Sequence, residues 1–200
     1  MRRLFSARQV LGACAASAAC ALLAAGCGSS SSSSSSSSTT ADALQVTGTA
    51  PAGSTAYHGT GFTLAIPAGW QHFDTGRGLI QWTSASSRTE YSVQVLSGAR
   101  AISGPKMLSQ MQGANKLEAP SIRMSSFALS SAHVAGARSA WLITARGSSA
   151  KGPHNIDDLV VATSSGTELD VSVTQLPGAA SFDALAYLRS LRLTAGSSSV

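Results

Sequence analysis

The chain has 200 residues, with 14 Lys+Arg against 9 Asp+Glu and a formal net charge of +5, and only 12% of it is charged, about half the usual soluble share of roughly 25%. Arg2, Arg3 and Arg8 lie at the extreme N-terminus; without them 11 positive charges face 9 negative ones, a net of +2. A nearly neutral remainder, of a length suited to one domain plus tails, lacks the basic footprint of a nucleic-acid-binding protein.

The three arginines form a positive n-region, and residues 11–25 an uncharged stretch of Ala, Leu, Gly, Ser and Cys. That stretch is too short and too rich in alanine for a permanent span, which needs about 20 apolar residues. It reads as a signal peptide over 1–26. Its end, Leu22-Leu23-Ala24-Ala25-Gly26-Cys27, resembles the lipobox of bacterial lipoproteins. Ala24 stands where Leu is commonest, with Leu23 one position further out. The resemblance implies a diacylglycerol on the Cys27 sulfur and cleavage that leaves Cys27 as the first residue. The competing reading is an ordinary secretory peptide cut elsewhere. Arg2-Arg3-Leu4-Phe5 also resembles the start of a twin-arginine signal, although Met1 and Ser6 depart from it, so Sec and Tat export both stay open. Cys14 and Cys20 leave with the signal and Cys27 carries lipid. The folded part then has no cysteine, which excludes a disulfide, a thiol nucleophile and a Cys-ligated metal there.

Residues 29–38 are an unbroken serine run, followed by Thr39 and Thr40. With no apolar side chains to bury, this stretch has no reason to order. A disordered Ser/Thr-rich tether is expected over 27–56, its roughly 30 residues spanning about 30 Å as a coil. A glycosylated spacer and mere solubilising filler both fit.

From Tyr57 the pattern changes. Phe62, Leu64 and Ile66 alternate on one face of a strand that Pro67-Ala68-Gly69 stops. Strands follow at 79–83 and 91–96. Ser103-Gly104-Pro105 opens a helix at 105–116, with Ser or Gly as its cap and Pro in its first turn. Met107, Leu108, Met111 and Ala114 make its apolar stripe, and Met107 and Met111 read as core fillers. Ile122 and Met124 are out of phase with Phe127 and Leu129, which predicts a bulge near Ser125-Ser126. Further strands are expected at 138–145, 157–163 and 167–175, the last two joined by a tight turn at Ser165-Gly166. Leu169, Val171 and Val173 face one way, leaving Asp170, Ser172 and Thr174 on a wet face. A helix over 181–191, capped by Ser181, carries the stripe Phe182, Leu185, Leu188 and Leu191, and a disordered tail follows at 196–200. This order predicts an α+β domain, an antiparallel β-sheet flanked by helices.

Gly61-Phe62-Thr63-Leu64-Ala65-Ile66-Pro67-Ala68-Gly69-Trp70 resembles the opening signature of the Mog1/PsbP-like superfamily, and is especially similar to the LpqN-type lipoproteins of actinobacteria. The terminal Leu188-Arg189-Ser190-Leu191-Arg192-Leu193 fits the same pattern. The resemblance would cover 57–195. It implies an α-β-α sandwich around an antiparallel sheet, no catalytic residue, and an accessory role in an envelope complex. Pro67 and Gly69 turn the chain, and Trp70 can bury its ring at a sheet corner.

Among candidate chemistry, no nucleophile elbow, zinc-protease helix or phosphate loop occurs. His58, His72, His133 and His154 are scattered through expected loops. His154 with Asn155, Asp157 and Asp158 offers a donor set to a divalent cation, although loops leading into strands are commonly polar. His72 with Asp74 near Trp70 suggests a small polar pocket. Arg77, Arg88 and Arg100 could rim a surface toward anionic lipid or phosphate, or be solvated loop charges. No serine is paired with a base by its spacing, so no enzyme, cofactor or metal is expected. The expected function is a membrane-anchored extracytoplasmic lipoprotein acting as a non-catalytic interaction module with an envelope protein partner. The alternative is a binding protein for a lipid or other apolar envelope ligand.

Overall fold

The computed structural model describes residues 43–76, 78–97, 103–118 and 123–194. Cys27, the signal peptide, Arg77, Arg100, Ile122 and the expected tail at 196–200 lie outside them. Strands β1 (Leu44–Val46), β2 (Ser54–Gly59), β3 (Phe62–Pro67), β4 (Gln71–Asp74), β5 (Leu79–Thr83) and β6 (Thr89–Ser97) precede helix α1 (Gly104–Asn115). Then come β7 (Ser126–Val134), β8 (Ala137–Ser149), β9 (Gly152–Thr163), β10 (Thr167–Gln175), helix α2 (Ala184–Leu188) and β11 (Arg192–Leu193). The domain is of the α+β class and is mostly sheet. An eight-stranded sheet runs β1-β7-β8-β9-β10-β6-β5-β4, and a three-stranded one runs β11-β3-β2.

The core follows from strand alternation. Leu142, Leu159, Val171 and Val93 pair successively across the large sheet. They meet Phe62, Leu64 and Ile66 of β3 and Ala184, Leu188 and Leu191 from around α2. On the opposite face a smaller cluster of Met107, Ile143 and Val160, with Leu108, Met111 and Leu129, holds α1 to the sheet. Ser103 is the N-cap of α1 and Pro105 lies in its first turn. The β9–β10 turn is clamped by Thr163, whose Oγ1 accepts the Thr167 N–H at 3.0 Å, and by Gly166 at φ +81°.

Several expectations are corrected. Ordered strand begins well before 57: Leu44 and Val46 of β1 are buried in the core, and β2 opens at Ser54. Three alternating residues after a long Ser/Thr run are too short a signal to stand out as a strand. The large sheet is mixed, since β1 pairs parallel with β7 while its other pairs are antiparallel. No bulge falls at Ser125-Ser126, because β7 starts only at Ser126 and pairs with β8 in unbroken register. Met124 lies outside the strand, where the Asn115 side chain binds both its N–H and its carbonyl. The irregularity sits instead between Ala137 and Ser139 of β8. The last helix is a short one, capped by Asp183 rather than Ser181. Beyond it the chain turns and returns as β11 beside Phe62 and Thr63. Nor is the polar face of β10 wet: Glu168, Asp170 and Ser172 are all buried.

Candidate functional site

One row of side chains crosses seven strands on the α1 side of the large sheet. Leu129 pairs with Ile143, Ile143 with Asp158, and Asp158 with Ser172. Ser172 then pairs with Ser92, Ser92 with Gln81, and Gln81 with Phe73. The row is apolar under α1, polar in the middle, and ends on an aromatic ring at the sheet edge. Phe73 is 50% exposed and Leu96 36%. Leu79 shares their face, two residues from Gln81 on β5, so the three form a diagonal apolar strip on an otherwise polar surface. Strand β4 ends the sheet, and all four of its residues are exposed.

Carboxylates line the middle of that face. Asp158 is 0% and Glu168 2% exposed, and Asp158, Glu168 and Asp170 are each engaged by a partner. Burial pushes the Glu90 carboxyl above its usual value, against a hydrogen bond from Gln81 that works the other way. These carboxylates are buried and engaged, so the part of this face open to contact is its margin at Phe73 and Leu96.

The other face is joined to the second sheet by a chain of rings. Tyr57 meets Trp82 edge-on at 4.9 Å, Trp82 meets Tyr91 at 6.0 Å, and Tyr91 meets Tyr187 at 6.3 Å. Tyr187 stacks on Phe182 at 4.8 Å, and Phe182 meets Trp70 at 5.1 Å. All three tyrosines and two of the three tryptophans belong to it. Burial holds the Tyr91 phenol well above its usual range, although its hydrogen bond with Ser190 opposes the shift. Burial, and then the Asp74 charge, raises Tyr57.

The residues singled out in the sequence separate. His58, His72, His133 and His154 all lie on strands rather than in loops. Asp157 and Asp158 are neighbours on β9 and so point to opposite faces. Asp157 is paired with Arg146 at 2.6 Å, while the buried His154 holds the Arg123 carbonyl through Nε2 at 3.2 Å. The strand geometry thus divides the suggested donor set. His72 and Asp74 share a face of β4: His72 stacks on Trp82 at 5.4 Å, and Asp74 accepts the Gly76 N–H at 2.7 Å. Arg88 donates to the Pro177 carbonyl at 2.6 Å. Trp70 takes a corner position, partly buried against Phe182. The row through Ser92 and Gln81 was missed in the sequence, because only strand order places those residues beside Asp158.

Neither a family model nor a curated protein matches the chain. Among solved structures, one from Bacteroides thetaiotaomicron is similar at 13% identity and a TM-score of 0.43, over 68% of this chain and 46% of that one. This chain therefore spans less than half of that structure. A protein of unknown function from Pseudomonas aeruginosa is similar at 13% identity and a TM-score of 0.35, over 62% of this chain and 83% of that one.

Proposed function

We propose that the protein is a lipoprotein, anchored through Cys27 to the extracytoplasmic face of the membrane, whose domain binds an envelope protein as a non-catalytic accessory module. The observation that carries this reading is the pair of exposed apolar side chains Phe73 and Leu96, with the half-buried Leu79 between them, at the margin of the large sheet. An edge strand with unpaired backbone groups and an exposed aromatic side chain suits a protein partner. The space between the two sheets is filled by fully buried side chains such as Phe62, Leu64, Tyr91 and Leu188, which favours a surface over a cleft for an apolar ligand.

The fold is read as an α-β-α sandwich of the Mog1/PsbP-like kind. That reading is supported by α1 and α2 packing on opposite faces of the large sheet and by the motif ending at Trp70. It concerns the fold and nominates no partner.

The test is crosslinking in cells of the full chain with a photoreactive residue at position 73, compared with one at Ser164 in the β9–β10 turn. A discrete membrane-protein adduct at 73, absent at 164 and lost when Leu96→Asp is added, is expected. Identical adducts at both positions would sink the interaction-module reading, and a lipid adduct at 73 would favour the lipid-binding alternative.

A further inference from the structure

Four loops meet at one end of the large sheet. Thr83 pairs with both Gln71 and Glu90, and Gln175 with both Thr89 and Asn155. The turn into Trp70, the β5–β6 turn at 84–88, the β8–β9 tip at 150–151 and the loop at 176–183 therefore lie together. The Leu176 N–H donates to the Arg88 carbonyl at 2.7 Å, and the Arg88 guanidinium returns a bond to Pro177 at 2.6 Å. The Trp70 and Phe182 rings are 5.1 Å apart, and a Cβ on Gly152 would lie 3.9 Å from the Gly178 nitrogen.

The composition of this end is unusual. Leu176-Pro177-Gly178-Ala179-Ala180-Ser181-Phe182 and Pro67-Ala68-Gly69-Trp70 carry no charge. Around them stand two exposed cations, Arg88 and Lys151, and one exposed acid, Asp183, which is occupied in capping the Ala186 N–H at 3.0 Å. Small neutral residues around two partly buried rings, bordered by cations, suit the interfacial layer of a bilayer. There aromatic rings with wet margins settle, and anionic headgroups attract basic side chains.

Chain length decides whether an anchored domain can bring this end to a membrane. Strand β1 runs parallel to β7, with Leu44 opposite Ala132 and Val46 opposite Val134. Strand β7 begins beside Arg146, on the part of β8 that leads to the four-loop end. Leu44 itself lies beside Ala132, six residues along β7 from Ser126, so about 20 Å of sheet separates the start of β1 from the four-loop end. About 16 residues separate Cys27 from Ala43, at most roughly 55 Å of extended chain, whereas a boundary at 57 would have allowed about twice that length.

We propose that this end of the domain, led by Trp70 and Phe182 and bordered by Arg88 and Lys151, rests on the anionic headgroup surface of the membrane. The proposal rests on the lipid-anchor reading, which supplies the membrane and holds it within reach. The full chain, purified from membranes, is placed on phosphatidylcholine–phosphatidylglycerol vesicles with plain or brominated acyl chains. Brominated lipid is expected to quench a part of the tryptophan emission that Trp70→Phe removes, since Trp82 is buried and Trp141 lies on another face. Lys151→Glu is expected to reduce that quenching, and so is omission of phosphatidylglycerol. Equal quenching of wild type and Trp70→Phe overturns the proposal. Should Trp70→Phe disturb the fold, a nitroxide at Ala68→Cys in the same exposed turn reads the contact through its protection from a water-soluble relaxation agent, and full accessibility there is likewise fatal. A photoreactive residue at 68 that joins protein instead of lipid also overturns it. The mass of Cys27 in the same preparation is read separately. An unmodified thiol removes the anchor, while the quenching of chain added to the vesicles still decides the contact.

Discussion

Ser190 ties the second sheet to the end of α2. Its hydroxyl donates to the Tyr187 carbonyl at 2.6 Å and accepts the buried Ala65 N–H at 2.9 Å. Ser190→Ala leaves that N–H without its acceptor, so a loss of about 1–3 kcal/mol is expected, read from urea unfolding. Glu90 gives a pH-dependent test. Its raised value means that the folded chain holds the proton more tightly than the unfolded one. Its favourable contribution is fully present below the ordinary value of 4.5 and is lost as pH rises through the raised one. Glu90→Gln should therefore stabilise the protein at neutral pH and change little below 4.5, measured as the difference in unfolding midpoints. At this scale the apolar residues were legible: Phe62, Leu64 and Ile66 alternate in the sequence and are buried in the structure. The polar ones were not. Asp170 and Ser172 have the signature of a solvated face, and burial there reflects what lies over the sheet, which alternation does not encode.

Among the elements, the two helices illustrate opposite cases. Helix α1 carries its boundary signals locally, in Ser103 and Pro105, and forms within a residue of the expected place. Gly104 is also where it touches Trp141 of β8, and a Cβ there would overlap the indole. Gly104→Ala should thus cost about 1–3 kcal/mol through overpacking and speed hydrogen exchange in α1 before the rest of the domain. The stripe of Phe182, Leu185, Leu188 and Leu191 looks like a three-turn helix, yet all four pack on the core from a shorter one flanked by turns. Tertiary burial holds them, so periodicity overstated the element. With only one and a half turns to maintain, α2 depends on its cap. Asp183→Ala is expected to cost about 1 kcal/mol, visible as a lowered melting temperature.

At the scale of the molecule, β1 decides where the domain starts. Leu44 and Val46 are buried beside Val134, and burying such side chains is worth about 1.5–3 kcal/mol each. A chain beginning at residue 47 should accordingly unfold at lower urea concentration than one beginning at 42, by about 3–6 kcal/mol. Equal stability would show β1 to be dispensable. The small charge count, the strands around Phe62, Trp82 and Val171, and helix α1 were all determined by the sequence itself, because each rests on local composition, period or capping. The parallel pairing of β1, the division of His154, Asp157 and Asp158 between faces, the polar row from Asp158 to Phe73 and the meeting of Trp70 with Phe182 were decided only in the tertiary structure. Each depends on which strands become neighbours, and that is set by the joint burial of residues far apart in the chain.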